Sequence, residues 1–325
     1  LAVLFCVVTM ICWGSWAITS KWTTEKWQFP LYYWDYSLGM ILMALIYGLT
    51  MGMTGEEGRG LIEDLMQADQ RSVLFAFAGG VVFNLSNLLI IAAIAVAGLS
   101  VAFPITVGLA LVLGVLLNYL KVPVGDPVLI FCGVALVVLA MVVNGVASEK
   151  ASSARGKTSG KGIILSVVSG IIMAFFYRLV AEGLSMNFSQ PEPGKLTPYS
   201  AVLIFSVGIF LSNFLWNSFL MYKPVTGTKC TYKDYFRNGT TKQHLIGIAG
   251  GLIFNTGFLF NLIASEKAGI AISYGLGQGA TMIGAAWGVF VFKEFAGAPK
   301  SVNKYLAAMF VLFITGLTLI VMAKV

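Results

Sequence analysis

The chain has 325 residues, of which 58% are hydrophobic and 11% are charged, and its mean hydropathy is +0.86. A soluble domain of this length could not bury so much apolar surface, so the composition excludes a soluble fold and predicts an integral protein of the lipid bilayer. The formal net charge of +7 comes from basic residues scattered over short loops, which is typical of membrane orientation and argues against a nucleic-acid partner.

Apolar stretches long enough to cross a bilayer occur ten times along the chain. We expect an all-α integral membrane protein with a first five-helix half at 1–147, a cytoplasmic linker at 148–160 and a second five-helix half at 161–325. The polar stretch 54–71 predicts an amphipathic helix at the membrane surface. The ten predicted spans are residues 1–20, 32–53, 72–95, 98–120, 127–147, 161–183, 199–221, 243–264, 268–292 and 303–323.

A sequence repeat links the two halves. The stretch from Gly79 to Asn84 recurs as the stretch from Gly250 to Asn255, at a spacing of 171 residues. Nine of the 42 positions in the repeat match, where chance would give roughly four. Because five predicted spans separate the two copies, they cross the membrane in opposite directions. Inverted repeats are typical of secondary transporters, whose substrate site lies near the midplane between the halves.

The basic residues predict the orientation of the chain. The loops on the side of 148–160, counted with the flanking span ends, carry fourteen lysines and arginines, against six on the opposite side. The positive-inside rule therefore places 148–160 in the cytoplasm and both termini outside. The rule applies to a bacterial inner membrane and to a eukaryotic cell membrane alike.

Charged residues inside predicted spans are functional candidates because burying a charge in a bilayer costs at least about 2.5–3.5 kcal/mol. Arg178 lies in the sixth span, and Glu182 follows at i+4 on the same face. Arg178 either binds substrate or forms a self-neutralised pair with Glu182. Asp35 lies near the start of the second span and either takes up a proton or stabilises the helix start, with Lys21 as its candidate partner. A proton site needs a carboxylate in a span, so Asp35 and Glu182 are the candidates for proton coupling.

Asparagines in two repeat-related spans are candidates for substrate binding. Asn84 and Asn87 share a face of the third span at i and i+3, and Asn255 repeats Asn84 in the eighth span. Hydrogen bonds between helices would equally explain all three residues.

A polar stripe and two tryptophans complete the candidate binding residues. Tyr274, Gln278 and Thr281 follow the i, i+4, i+7 pattern in the glycine-rich ninth span, and we expect them to face a cavity. Trp13 and Trp16 form a similar stripe on the first span, and Trp13 lies too deep to be a simple anchor at the membrane interface. Aromatic walls of this kind suit a planar heterocycle or a sugar ring.

Other kinds of site are disfavoured. The chain has one histidine, His244, and four cysteines, three of them in apolar spans, so neither a zinc site nor a disulfide framework is expected. Gly156-Lys157-Thr158 ends like a phosphate-binding loop, but Ala151 stands where the first glycine belongs. We therefore predict no enzyme activity and no cofactor.

Ten spans in two inverted halves, with Trp13-Gly14-Ser15-Trp16, resemble the drug/metabolite transporter superfamily. Two further stretches are similar to its ureide permease and glucose/rhamnose uptake branch. One is Trp34-Asp35-Tyr36-Ser37-Leu38, and the other runs from Ala268-Gly269 through Gln278 and Trp287-Gly288 to Phe292-Lys293-Glu294-Phe295. The resemblance implies a plasma-membrane carrier that imports ureides such as allantoin, nucleobases or sugars, often driven by protons. It supports a role for Asp35 and places Gln278 in the core of the second half.

The sequence thus predicts a secondary transporter that takes up a small polar solute by alternating access with a coupling ion, most simply a proton. An exporter of drugs, quaternary amines or metabolites on the same fold is the main alternative. A nucleotide-sugar antiporter would use Arg178 as an anion clamp, but such sites need further buried cations. Glycine-rich helix faces also permit a homodimer.

Overall fold

The computed structural model describes residues 1–20, 22–23, 27–54, 58–151, 160–225 and 227–324, without the side chains of residues 99 and 100. Within these residues the chain is helical, apart from loops and an isolated bridge between Leu184 and Leu196. The helices in chain order are α1 Ala2–Ser20, α2 Phe29–Leu49, α3 Leu61–Gln67, α4 Gln70–Ala97, α5 Leu99–Lys121, α6 Pro127–Ala151, α7 Gly160–Gly183, α8 Pro198–Asn213, α9 Trp216–Tyr222, α10 Tyr232–Asn238, α11 Thr241–Ala268, α12 Ile270–Gly277, α13 Ala280–Ala286 and α14 Lys300–Met322, with a π-helical turn Trp287–Val291 before α14.

Eight segments of the described chain are long and apolar enough to cross a bilayer. They are α1, α4, α5, α6, α7, the α8–α9 pair, α11 and α14. The two other predicted spans, 32–53 and 268–292, are not among these eight segments. The first turns of α2 carry Tyr32, Trp34 and Asp35, and the predicted span 268–292 is divided into α12, α13 and the π-helical turn. The chain is therefore a multi-pass helical membrane protein with eight candidate spans, and ten spans stay a prediction.

The sequence repeat coincides with two helices of equal length. Helices α4 and α11 each contain 28 residues and begin 171 positions apart in the sequence. Each is followed by a glycine with positive φ, 81° at Gly98 and 88° at Gly269, from which the next helix starts. Residues with a Cβ are strained in this conformation, so glycine permits the abrupt turn between the two helices.

Close helix contacts follow the same repeat. Helix α4 packs on α8, and helix α11 packs on α2. Gly80 of α4 and Gly208 of α8 lie against the backbone of the facing helix, and so do Gly251 of α11 and Gly39 of α2. A Cβ at any of the four would lie under 3.0 Å from a carbonyl oxygen of that helix. Small residues allow such close approach in membrane proteins.

The helix bundle has two ends, which we name by the segments they carry. At the linker end, Gly162 near the start of α7 packs against Ala97 at the end of α4. This end also holds α10 and the start of α2. At the terminal end, the backbone N–H of Asp126 donates to the carbonyl oxygen of Ala323, 2.8 Å away, which joins the start of α6 to the end of α14.

Candidate functional site

Aromatic side chains from six helices meet in the interior as two groups of three. The first triad consists of Trp16 of α1, Tyr36 of α2 and Phe254 of α11. The ring centroids are 4.7 Å apart for Trp16 and Tyr36, 6.0 Å for Trp16 and Phe254, and 5.9 Å for Tyr36 and Phe254. These separations lie in the range where aromatic rings attract each other.

The second triad repeats this arrangement with Phe83 of α4, Phe176 of α7 and Phe205 of α8. Its ring centroids are 5.1 Å apart for Phe83 and Phe176, 5.5 Å for Phe83 and Phe205, and 6.0 Å for Phe176 and Phe205. The two triads meet where Phe83 contacts Phe254 at 5.1 Å, and these two residues hold equivalent positions in the sequence repeat. We call the two triads together the aromatic centre.

Trp13 extends the first triad by one turn of α1. Its ring stacks on Phe254 at 5.6 Å with an interplanar angle of 13°, and on Phe258 at 6.3 Å. The ring of Phe258 also lies 4.4 Å from that of Phe205, so it bridges to the second triad. Trp13 and Trp16, both predicted from the sequence to bind substrate, therefore line the aromatic centre.

Eleven buried side-chain polar atoms have no hydrogen-bond partner among the described residues, and two of them lie in or next to the first triad, Nε1 of Trp13 and Oη of Tyr36. Buried polar atoms are nearly always paired, so an unpaired one indicates a missing partner. The indole N–H is a donor, whereas the phenol can both donate and accept. Both atoms are therefore available to hydrogen-bond a polar solute.

Asn84 and Asn255 lie next in the chain to Phe83 and Phe254, and both are buried. The amide nitrogen of Asn84 donates to the carbonyl oxygen of Ile209 at 3.1 Å, and that of Asn255 donates to the carbonyl oxygen of Met40 at 2.6 Å. These bonds join helices, as the structural interpretation of the asparagines requires. The amide oxygens of both have no partner among the described residues and add two acceptors near the aromatic centre.

The predicted polar stripe does not lie on one continuous helix. Helix α12 ends at Gly277 and α13 begins at Ala280, so Gln278 lies in the break, and its carbonyl oxygen accepts a hydrogen bond from Thr281 at 3.0 Å. The buried hydroxyl of Tyr274 donates to the carbonyl oxygen of Ala110, 3.2 Å away. Gly277, beside Gln278, packs against the ring of Trp13, so the break adjoins the aromatic centre.

Asn87 and Arg178 have other partners. The amide nitrogen of Asn87 donates to the hydroxyl of Tyr33 at 3.0 Å. Arg178 and Glu182 lie near the end of α7, towards the terminal end, where Nη1 of Arg178 is 2.6 Å from Oε2 of Glu182. Nζ of Lys121 lies 3.1 Å from the same oxygen, so two cations share one carboxylate. The structure thus brings the two predicted charges to each other and to Lys121.

Asp35 lies at the linker end in a cluster of side chains from four chain segments. Its carboxylate is buried, and the two carboxylate oxygens lie 2.9 Å and 3.0 Å from Nδ1 of His244 in the first turn of α11. The hydroxyl of Tyr235 in α10 donates a hydrogen bond to the same carboxylate. The ring of Trp27 contacts both partners, at 5.7 Å from Tyr235 and 5.0 Å from His244. Lys21, predicted as the partner of Asp35, lies outside the described residues.

Sequence reasoning missed His244 and Tyr235 as partners of Asp35, because they follow it by 209 and 200 residues. The signal for His244 was its being the chain's single histidine, at the edge of a span. The phenylalanines of the two triads gave no signal, since phenylalanine is common in every apolar span. Only their repeat positions, as at Phe83 and Phe254, distinguish them.

Other features of the described residues do not suggest a polar binding site. A cavity of about 280 Å³ between α1, α12 and α14 is lined mainly by apolar side chains such as Val7, Leu276 and Leu317. Among the described residues no group of three histidine, cysteine or acidic side chains could hold a metal ion.

Comparison with known proteins gives a consistent family. The ureide permease family profile matches residues 32–160 and 146–324. Ureide permease 1 of Arabidopsis thaliana is 24% identical over an alignment 379 positions long, which covers 98% of this chain and 96% of its own length. Ureide permease 3 of the same plant is 27% identical and covers 82% of this chain and 85% of itself. Probable ureide permease A3 of Vigna unguiculata is 33% identical over 133 residues, which cover 39% of this chain and 35% of its own length.

A crystal structure of another protein shares the fold. It matches with a TM-score of 0.62 at 15% sequence identity, and the match covers 98% of this chain and 96% of that one. Because the family profile spans nearly the whole sequence, the chain belongs to the ureide permease family.

Proposed function

We propose that this membrane transporter takes up a ureide, or a related small polar solute such as a nucleobase or a sugar, and binds it at the aromatic centre. The unpaired N–H of Trp13 and the unpaired hydroxyl of Tyr36 carry this proposal. They lie beside rings that can stack on a flat solute, and the amide oxygens of Asn84 and Asn255 offer further acceptors. Ureides present N–H and C=O groups in one plane, which suits this set of donors, acceptors and rings.

Alternating access is the proposed mechanism. The two triads come from helices of both halves and repeat each other, which supports ten helices in two inverted repeats, 1–147 and 161–325, joined by the 148–160 linker. A solute at the midplane would be exposed first to one side and then to the other as the halves rock. The break at Gln278 between α12 and α13 supplies a place for one such movement, with Tyr274 and Thr281 on either side.

Asp35 is the proposed site of the coupling proton. Its carboxylate is buried and is bound by the neutral hydroxyl of Tyr235 and by the imidazole of His244, which is charged only when protonated. Glu182, the other candidate, is held between the cations Arg178 and Lys121, and its charge is compensated by them. We therefore assign Glu182 and Arg178 to a structural ion pair near the terminal end.

The orientation proposed for the chain follows from its basic residues. With fourteen of them towards the linker end, this end faces the cytoplasm of a plasma-membrane protein and both termini face outwards. The aromatic centre is built within one chain, so a homodimer is not needed to form the site. A quaternary ammonium could stack on the rings, but it has neither an N–H to donate nor a lone pair to accept, so it would leave the N–H of Trp13 and the hydroxyl of Tyr36 unpaired.

The test is binding of allantoin to purified protein carrying Tyr36→Phe, with Tyr222→Phe as the matched control. Tyr36→Phe removes one buried hydroxyl and keeps the ring, whereas Tyr222 lies on the exposed side of α9. Losing one hydrogen bond of about 1 kcal/mol should raise the Kd about fivefold. The melting temperature of the ligand-free protein should stay level or rise, because an unpaired buried group is removed.

A second variant, Trp13→Phe, removes the indole N–H and should weaken binding by a similar factor, with exposed Trp22→Phe as its control. Unchanged allantoin affinity in both Tyr36→Phe and Trp13→Phe would contradict the proposed site. Binding of quaternary amines in place of ureides would contradict the proposed substrate class and favour the exporter.

A further inference from the structure

Asp35 connects the transmembrane helices to a short helix outside them. The hydroxyl of Tyr235 in α10 donates to the Asp35 carboxylate of α2, and the imidazole of His244 on α11 holds both carboxylate oxygens. Tyr235 thus joins α10 to the buried acid across 200 residues of sequence. The Trp27 ring packs against both Tyr235 and His244. We call Asp35, Tyr235 and His244 the latch.

Besides Tyr235, helix α10 is held to the bundle through Tyr232, whose ring lies 5.7 Å from that of Trp34 and whose hydroxyl is hydrogen-bonded to that of Ser218. Helix α10 contains seven residues, none of them buried, and its first turn is fixed by a local capping box between Thr231 and Asp234. Short exposed helices depend on tertiary contacts for their position. The bond from Tyr235 to a buried carboxylate is therefore a main tether of α10 to the bundle.

The titratable groups that face Asp35 are few. Among the described residues they are His244 from α11, Tyr235 from α10 and, on its own helix, Tyr32, whose hydroxyl lies 2.7 Å from that of Thr19 on α1. Burial raises the pKa of Tyr235, and its hydrogen bond to the Asp35 carboxylate raises that pKa further. Tyr235 therefore stays a donor at physiological pH.

We propose that Asp35, His244 and Tyr235 form one proton-binding gate, in which a proton reaching Asp35 releases Tyr235 and frees α10 to open the linker end. An ionised carboxylate accepts strong, charge-assisted hydrogen bonds, and protonation removes that charge. The bidentate contact with His244 weakens in the same step. In the orientation proposed above, a proton bound from outside would open the cytoplasmic end, the order that proton-driven uptake requires. This direction rests on the proposed function, whereas the latch itself stands on the geometry of the ligand-free chain.

A native cysteine reports the state of the gate. Cys230 is buried directly before the cap of α10, and its backbone N–H donates to the carbonyl oxygen of Met221 at 3.1 Å. Burial raises the pKa of the Cys230 thiol to about 11, so it reacts slowly while covered. Release of α10 would uncover it.

The experiment measures the rate at which a maleimide labels Cys230 in the full chain with Cys6, Cys12 and Cys132 replaced by alanine. Tyr235→Phe removes the donor of the latch, and exposed Tyr222→Phe is the control in the neighbouring helix α9. Losing a bond to a charged acceptor should speed labelling about tenfold at pH 8, with no change in the control. The ratio of the Tyr235→Phe rate to the unsubstituted rate cancels the pH dependence of the thiol itself.

We expect that ratio to fall towards one as the pH is lowered, because protonation opens the gate without any substitution. A ratio of one at every pH would show that Tyr235 does not hold α10 in place. A large ratio that does not change with pH would show that protonation does not open the latch. Hydrogen exchange of the α10 amides in the unsubstituted chain, corrected for intrinsic rates, should accelerate over the same pH range. Neither measurement needs a solute, so failure of the gate and failure of ureide binding are separate results.

Discussion

Helices α2 and α11 pack so closely at Gly251 that no side chain fits between them. A Cβ at Gly251 would lie 2.7 Å from the backbone nitrogen of Met40 and closer still to the carbonyl oxygen of Tyr36. Ordinary contact begins at 3.4 Å, so Gly251→Ala must separate the two helices by at least about 0.7 Å. Such overpacking costs about 1–3 kcal/mol, since both obstacles are backbone atoms that no rotamer change can move.

The assay is thermal unfolding of the detergent-purified protein, followed by allantoin titration. We expect Gly251→Ala to lower the melting temperature by several degrees, at about 2 °C per kcal/mol, and to weaken binding because Tyr36 moves with α2. Gly284→Ala is the matched control. Its Cβ would meet only a carbonyl oxygen of Gly14 at 3.7 Å, so the better helix propensity of alanine should leave stability level or raise it by up to about 1 kcal/mol. Equal melting temperatures for the two variants would show that the close contact of α2 and α11 does not depend on a glycine at position 251.

Two further predictions concern charged groups outside the aromatic centre. Glu182→Gln should lower the melting temperature slightly, because Arg178 and Lys121 lose their shared carboxylate. The pH dependence of uptake should stay unchanged, and an altered pH profile in a transport assay would indicate that Glu182 is the proton site. Hydrogen bonds from Thr231 lower the pKa of Asp234, so its contribution to the α10 cap is present above the ordinary aspartate value of about 3.9 and is lost as the pH falls through the lower folded value. In the unsubstituted chain, hydrogen exchange of the α10 amides should therefore accelerate below about pH 4 as Asp234 is protonated. Asp234→Asn has no carboxylate at this position and should not show that acceleration.

Much of the architecture could be predicted from the sequence because bilayer spans leave long apolar runs. The repeat spacing of 171 residues, measured from Gly79 to Gly250, equals the distance between the first residues of α4 and α11, which have the same length. Family membership, predicted from short stretches such as the one around Asp35, is confirmed by the profile match. The division of the ninth predicted span at Gln278 was not foreseen, since its residues are apolar enough for one continuous helix.

The contacts of the candidate site could be predicted only in part. Trp13 stood out because it lies too deep in its span to be an interface anchor, and Trp16 because it lies on the same face of the helix. The partners of Asp35 could not be found, because Tyr235 lies in a loop whose path depends on tertiary packing. The role of Phe205 was likewise hidden, since hydropathy does not tell a ring that lines a site from one that faces lipid.

Solute uptake into proteoliposomes under an imposed pH gradient shows whether transport is coupled to protons through Asp35. We expect labelled allantoin to accumulate only when the inward proton gradient is present, and Asp35→Asn to exchange allantoin across the membrane without responding to the gradient. Accumulation by Asp35→Asn equal to that of the unsubstituted chain, or allantoin movement that ignores the gradient in both, would contradict proton-coupled uptake through Asp35.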